Sequence, residues 1–163
     1  MLLTLHSVRE SAVGPEAARV HVVCGGGSGA GVLSMLTRAG FHVSAGVLNR
    51  MDSDQLAAEA LGIETVVEAP FSPVGAAARA ECARLMEQAQ TLLITPVPIG
   101  KGNLVNLELA QEAQAAGKEI VLLGDTAFAR RDYTGGKATA LLERLLANGA
   151  ARFDRVEDWL QHI

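Results

Sequence analysis

Aromatic residues are scarce. Phe, Trp and Tyr together make up 4% of the 163 residues, so a platform of rings for stacking single-stranded bases is not expected. Positive charge is not in excess. Fourteen Lys and Arg stand against 18 Asp and Glu, a net charge of −4, and this leaves no basic surplus to offset a nucleic-acid backbone. Long apolar runs are missing too: none approaches the roughly 18 residues that a bilayer-crossing helix needs. Met1–Glu10 is too short and too soon charged for a signal peptide. Cysteine is limited to Cys24 and Cys82, with no C-x-x-C spacing, so neither a disulfide scaffold nor a zinc knuckle is expected. Together these absences point to a reduced, cytoplasmic protein without nucleic-acid partners or membrane insertion.

What is present is typical of a globular chain. Hydrophobic residues are 49% and charged residues 20%, which argues against disorder. The length suits one domain with one core. Residues 1–18 are weakly patterned and broken by Gly14-Pro15, and are expected to be a lead-in or linker remnant. From residue 19 to 163 strand-like and helix-like segments alternate. Val/Ile/Leu-rich runs are expected at 19–24, 41–48, 63–67, 91–95 and 119–123, with a short strand at 152–153. Helices are expected at 32–39, 53–61, 76–90, 104–116, 135–147 and 156–161. Gly40, Gly62, Gly117 and Asn148-Gly149 stand where helices should stop. Asp52 or Ser53, Asn103 and Thr134 stand where helices should be capped. Such alternation predicts βαβ units. The expected fold is therefore α/β: a three-layer, Rossmann-like, doubly wound parallel sheet.

In such a sheet ligands sit beyond the carboxyl ends of the strands, and the loops there are rich in glycine and polar residues. The first loop, Gly25-Gly26-Gly27-Ser28-Gly29-Ala30-Gly31, is the strongest signal. Glycines let backbone N–H groups approach a guest, and the next helix offers its positive end. An anion, most naturally a phosphate, is expected there, with Ser28 adding a hydroxyl. Lys101, beside the Asn103 cap, and Lys137, after Thr134-Gly135-Gly136, would add positive charge. Asn49 and Asp125, each just beyond a strand end, would select sugar or base.

Several chemistries fit less well. Gly25-x-Gly27-x-x-Ala30 has the dinucleotide form, but the second strand ends in Leu48-Asn49-Arg50, without the acid that holds a ribose. Arg131 and Ala138 break a Walker A pattern at Gly136-Lys137, so the chain should not hydrolyse ATP by that route. Gly26-Gly27-Ser28-Gly29-Ala30 is not a nucleophile elbow. None of the four histidines has a partner at metal-ligand spacing, and no metal site is expected. No catalytic constellation emerges, although Glu108 or Asp125 would be the acid or base of an enzyme.

Val20-His21-Val22-Val23-Cys24-Gly25-Gly26-Gly27-Ser28-Gly29 resembles the start of a domain at the C-terminus of ABC-transporter ATPase subunits of the iron-siderophore and cobalamin uptake type. Ser44–Asn49, Asp52-Ser53-Asp54, Glu68–Pro73, Gly102-Asn103-Leu104 and Asp132–Ala138 are similar in order and spacing, so the resemblance covers roughly residues 19–140. It implies a regulatory or ligand-sensing domain for an uptake ATPase, carried in the same chain or a separate one. The first glycine loop also resembles that of phosphoribohydrolases and molybdenum-cofactor carriers. Their P-G-G-x-G-T-x-x-E motif is broken here to Gly100-Lys101-Gly102-Asn103-Leu104, followed by Glu108. The expected function is an accessory domain that binds a phosphate-bearing small molecule, a nucleotide in the first instance. A nucleotide-processing enzyme, an NAD(P)-dependent oxidoreductase and a dimerisation module remain open at this point, as does a homodimer.

Overall fold

A computed structural model describes residues 18–24, 27–47, 52–67, 75–95, 101–124 and 134–163. Among the described residues six strands and six helices alternate. In chain order they are β1 (Arg19–Cys24), α1 (Ala30–Arg38), β2 (His42–Val47), α2 (Ser53–Ala60), β3 (Glu64–Val67), α3 (Gly75–Gln88), β4 (Thr91–Ile94), α4 (Lys101–Ala115), β5 (Glu119–Leu123), α5 (Lys137–Ala147), β6 (Ala151–Phe153) and α6 (Val156–His162).

The sheet runs β3-β2-β1-β4-β5-β6, with every neighbouring pair parallel. β1 lies against β2 with Val20 opposite Val43, and against β4 with Val20 opposite Thr91. The chain thus winds outward one way from β1 and then returns to wind the other way from β4. This is the doubly wound, three-layer α/β arrangement expected from the alternation, and its switch point falls between β1 and β4.

Alternate strand residues divide the core in two. Val23, Leu92, Ile94, Ile120 and Leu122 pack with Cys82, Leu85 and Met86 of α3, Leu107 and Ala110 of α4, and Leu141 and Leu145 of α5. Val20, Val22, Val43, Ala45, Leu93 and Val121 pack on the opposite face with Leu33 and Leu36 of α1, Ala58 of α2, and Val156 and Trp159 of α6. Both faces are covered, which is why the strands are nearly continuous in apolar residues. The helices end as glycine predicts. At Gly40 (φ 92°), the N–H of Gly40 donates to Thr37 O and that of Phe41 to Leu36 O, closing α1 with a paired cap. The same bond pattern closes helices at Gly62, Gly117 and Gly149.

One polar chain crosses the apolar interior. His21 of β1 is fully buried. Its Nδ1 lies 2.8 Å from Ser44 Oγ on β2, and its Nε2 lies 3.5 Å from Cys82 Sγ on α3. Burial pushes the imidazole pKa down to about 4. The unfolded chain therefore binds this proton first, at about pH 6.5. The stability conferred by neutral His21 is present above that pH and drains away as pH falls toward 4, amounting to about 3 kcal/mol. Urea unfolding at pH 7 and pH 4.5 should show this loss in the native sequence, and His21→Gln should flatten it. Equal pH slopes in the two proteins would refute the assignment.

Candidate functional site

The glycine loop after β1 is shaped first by packing. A Cβ on Gly29 would lie 2.6 Å from the Cys24 Cβ and 2.7 Å from its Sγ. Only a glycine lets the start of α1 sit directly on the end of β1. Gly27 adopts φ 84°, a left-handed conformation, and a Cβ there would approach Ser53 Oγ to 3.3 Å. Part of the glycine density is therefore a demand of the strand-to-helix junction.

The amino end of α1 already holds a carboxylate of the same chain. Asp54 Oδ2 accepts from the Gly29 N–H and Oδ1 from the Ala30 N–H, both at 3.1 Å. Asp54 stands in the first turn of α2, whose cap is Asp52, and Asp52 Oδ1 accepts from the Asp54 N–H at 3.0 Å. This corrects the expectation that Gly29 donates to an outside anion. A helix amino end attracts negative charge, and here that charge is supplied from α2. Burial raises the Asp54 pKa against the lowering effect of the Gly29 amide; Asp52 nearby raises it further, and the Ala30 and Gly27 amides lower it.

Beside this junction a cavity of about 350 Å³ opens at the carboxyl ends of β1, β4 and β5. That volume falls in the range of small-molecule sites. Ser28 and Thr95 lie on its wall, and their hydroxyl oxygens are 2.6 Å apart, joining the β1 loop to the end of β4. Gly31, Val32 and Met35 of α1 form one side. Leu123 and Gly124 follow from β5, and Asp154–Glu157 close it from the turn into α6. The walls are thus largely apolar, with hydroxyls deep in the switch point and charges at the rim. Arg155 lies 3.8 Å from both Glu157 and Asp158 and is itself mostly exposed.

The other expected site residues fall elsewhere. Gly25, Gly26, Asn49 and Asp125 lie outside the described residues. Lys101 and Asn103 belong to the first turn of α4, so Asn103 is inside the helix rather than its cap. Thr134 is not the cap residue of α5 either. Gly136 (φ 90°) holds that position, and Thr134 supports the turn from outside, its Oγ1 accepting from the Ala138 N–H at 2.9 Å. Gly135, Gly136 and Lys137 are exposed and do not line the cavity. Glu108 is exposed on α4 and is likewise absent from the cavity wall. Cys24 is buried under α1. Among the described residues no group of His, Cys, Asp and Glu gathers as a metal site, and no helix is long and apolar enough to cross a membrane.

With this geometry in place, comparison with known proteins is informative. Residues 43–160 match the family model named MJ0874, a span running from β2 into α6. The chain belongs to the MJ0874 family. A relative, the uncharacterized protein MJ0874 of Methanocaldococcus jannaschii, is 27% identical over 79 residues, covering 48% of this chain and 85% of its own length. The family span includes Asp54, Thr95 and the turn into α6, whereas Ser28 and the first glycine loop precede it.

Two substitutions test the junction. Gly29→Ala should cost about 1–3 kcal/mol or more in chemical unfolding, because backbone must move. Cys24→Ala should not rescue it, since the Cys24 Cβ is itself the nearest obstacle. Asp54→Asn places an amide N–H against one of the two donors and should cost about 1–3 kcal/mol. Because Asp54 is raised in the fold, its contribution is fully present below the unfolded Asp value and declines as pH rises through the folded one. The stability gap between native and Asp54→Asn protein should therefore narrow from pH 4 to pH 7. A gap that widens would contradict the assigned direction.

Proposed function

We propose that this MJ0874-family chain is a small-molecule-binding regulatory module. Its ligand, a phosphate-bearing compound of nucleotide type, seats at the carboxyl ends of β1, β4 and β5. The observation that carries this reading is the cavity of about 350 Å³ at the switch point, with the Ser28–Thr95 hydroxyl pair on its wall. Its apolar sides suit a base and sugar, and hydroxyls at the strand ends suit their polar edges. Since Asp54 holds the Gly29 and Ala30 amides, the phosphate of such a ligand points away from this end of α1. The described lining carries the Ser28 and Thr95 hydroxyls, the Asp154 and Glu157 carboxylates and the Arg155 guanidinium, polar groups that can bond a bound ligand's edges. The resemblance to the C-terminal domains of iron-siderophore and cobalamin uptake ATPases supports an accessory role. In that role, cytoplasmic ligand occupancy is passed to an ATPase domain in the same or a separate chain.

Gly31 gives a clean test. It lines the cavity, and a Cβ placed on it meets nothing within 4 Å. Gly31→Leu should hold or raise stability, because Leu favours a helix by roughly 1 kcal/mol over Gly. The same change should fill the cavity. Native protein titrated calorimetrically with AMP, ADP, ATP, NAD and NADP should bind at least one of them. At a hundredfold excess over Kd the ligand should stabilise the protein by about 2.7 kcal/mol, and Gly31→Leu should remove the effect. A flat titration for every nucleotide would sink the proposal.

A further inference from the structure

Among the described residues nothing accounts for the burial of Asn106. It stands in the second turn of α4 and is 1% exposed, yet among those residues neither its Nδ2 nor its Oδ1 has a hydrogen-bond partner. Among the described residues it is the one buried side chain whose polar atoms are all unpaired. Leu107, Leu109, Ala110 and Ala113 around it on α4 belong to the apolar core. A buried carboxamide bonded to nothing forfeits its hydration without return, and an apolar side chain of similar size would avoid that loss. Groups of this kind in a folded protein call for an explanation, such as an ordered water, an ion or a bound ligand.

The location suggests which partner. α4 is 15 residues long, and its amino end follows the carboxyl end of β4. Helical side chains lean toward the amino end, so the Asn106 carboxamide leans toward the strand ends. That helix end also carries positive polarity. β1 leads to α1 on one face of the sheet, and β4 leads to α4 on the other. A ligand lying across the β1–β4 crevice therefore meets the α1 cavity on one side and the α4 end on the other.

We propose that Asn106 is a recognition residue that reads the adenine edge of the ligand. A carboxamide presents a donor and an acceptor side by side. Adenine presents the complementary pair, its 6-amino group and ring N7, which an Asn side chain can bond at once. Hypoxanthine presents acceptors at both positions and can satisfy only the Asn106 donor. The assignment rests on the nucleotide seating proposed above and specifies which base that seat selects.

The test compares native protein, Asn106→Leu and Asn106→Ala in thermal unfolding without ligand and in calorimetric titration with AMP and IMP. Native protein should bind AMP at least about tenfold more tightly than IMP. Asn106→Leu should melt at or above the native temperature without ligand and should lose the preference for AMP. Asn106→Ala cannot overpack the site and should lose the same preference even where Asn106→Leu fails to fold. Native protein that binds AMP and IMP alike overturns the role of Asn106 but leaves the ligand seat standing. A lowered melting temperature in Asn106→Leu with the preference intact also overturns it, since the carboxamide then serves an internal water. Binding of neither nucleotide by native protein overturns the assignment, and the seat falls with it only where ADP, ATP, NAD and NADP fail to bind as well.

Discussion

Asp54 reaches out of α2 to accept from two consecutive amides at the start of α1, and this short bridge governs how the carboxyl edge of the sheet can be used. It fixes α2 against α1, places Ser53 under Gly27, and supplies internally the negative charge that a helix amino end attracts. A glycine-rich turn in a Rossmann-like sheet ordinarily invites a phosphate to that position. Here the position is filled, so the ligand we propose is seated in the neighbouring cavity beside Ser28 and Thr95. The same bridge ties the start of α2 to the start of α1.

The order of elements could be anticipated because each boundary carries a local cause. β-branched runs mark strands buried on both faces, and glycines at 40, 62, 117 and 149 mark helix ends through a backbone conformation that other residues rarely adopt. Caps were less legible. Asp52 acts as expected, but α4 begins before Asn103, and Thr134 supports α5 from outside the cap position. A hydroxyl or carboxamide near a helix start can serve at several positions, and spacing alone does not choose among them.

The site was legible only in outline. The first loop announces itself through glycine, yet the reason for Gly29 is a contact with Cys24 that appears only when strand and helix are placed together. Asp54 and Gly29 are 25 residues apart, and nothing local to either signals the pair. The wall formed by Asp154–Glu157 comes from the far end of the chain. His21 looks like an ordinary strand residue until Ser44 and Cys82 are seen on either side of its ring. Asn106 is indistinguishable by type from a solvated helix residue, and its burial without a partner among the described residues is a property of the packed fold alone.

The central place of β1 has a consequence for biosynthesis. β1, the first of the described strands in chain order, is flanked in the finished sheet by β2 on one side and β4 on the other. β2 and β3 can join it early, but the opposite edge of β1 stays open until the chain has grown past Ile94 and carried a crossover helix back over the sheet. Until then Val20, Val22 and Val23 present an unpaired, apolar border, the kind of surface on which nascent chains stick to one another. Completion of the β1–β4 pair thus forms the crevice at the switch point and ends this period of exposure in one step.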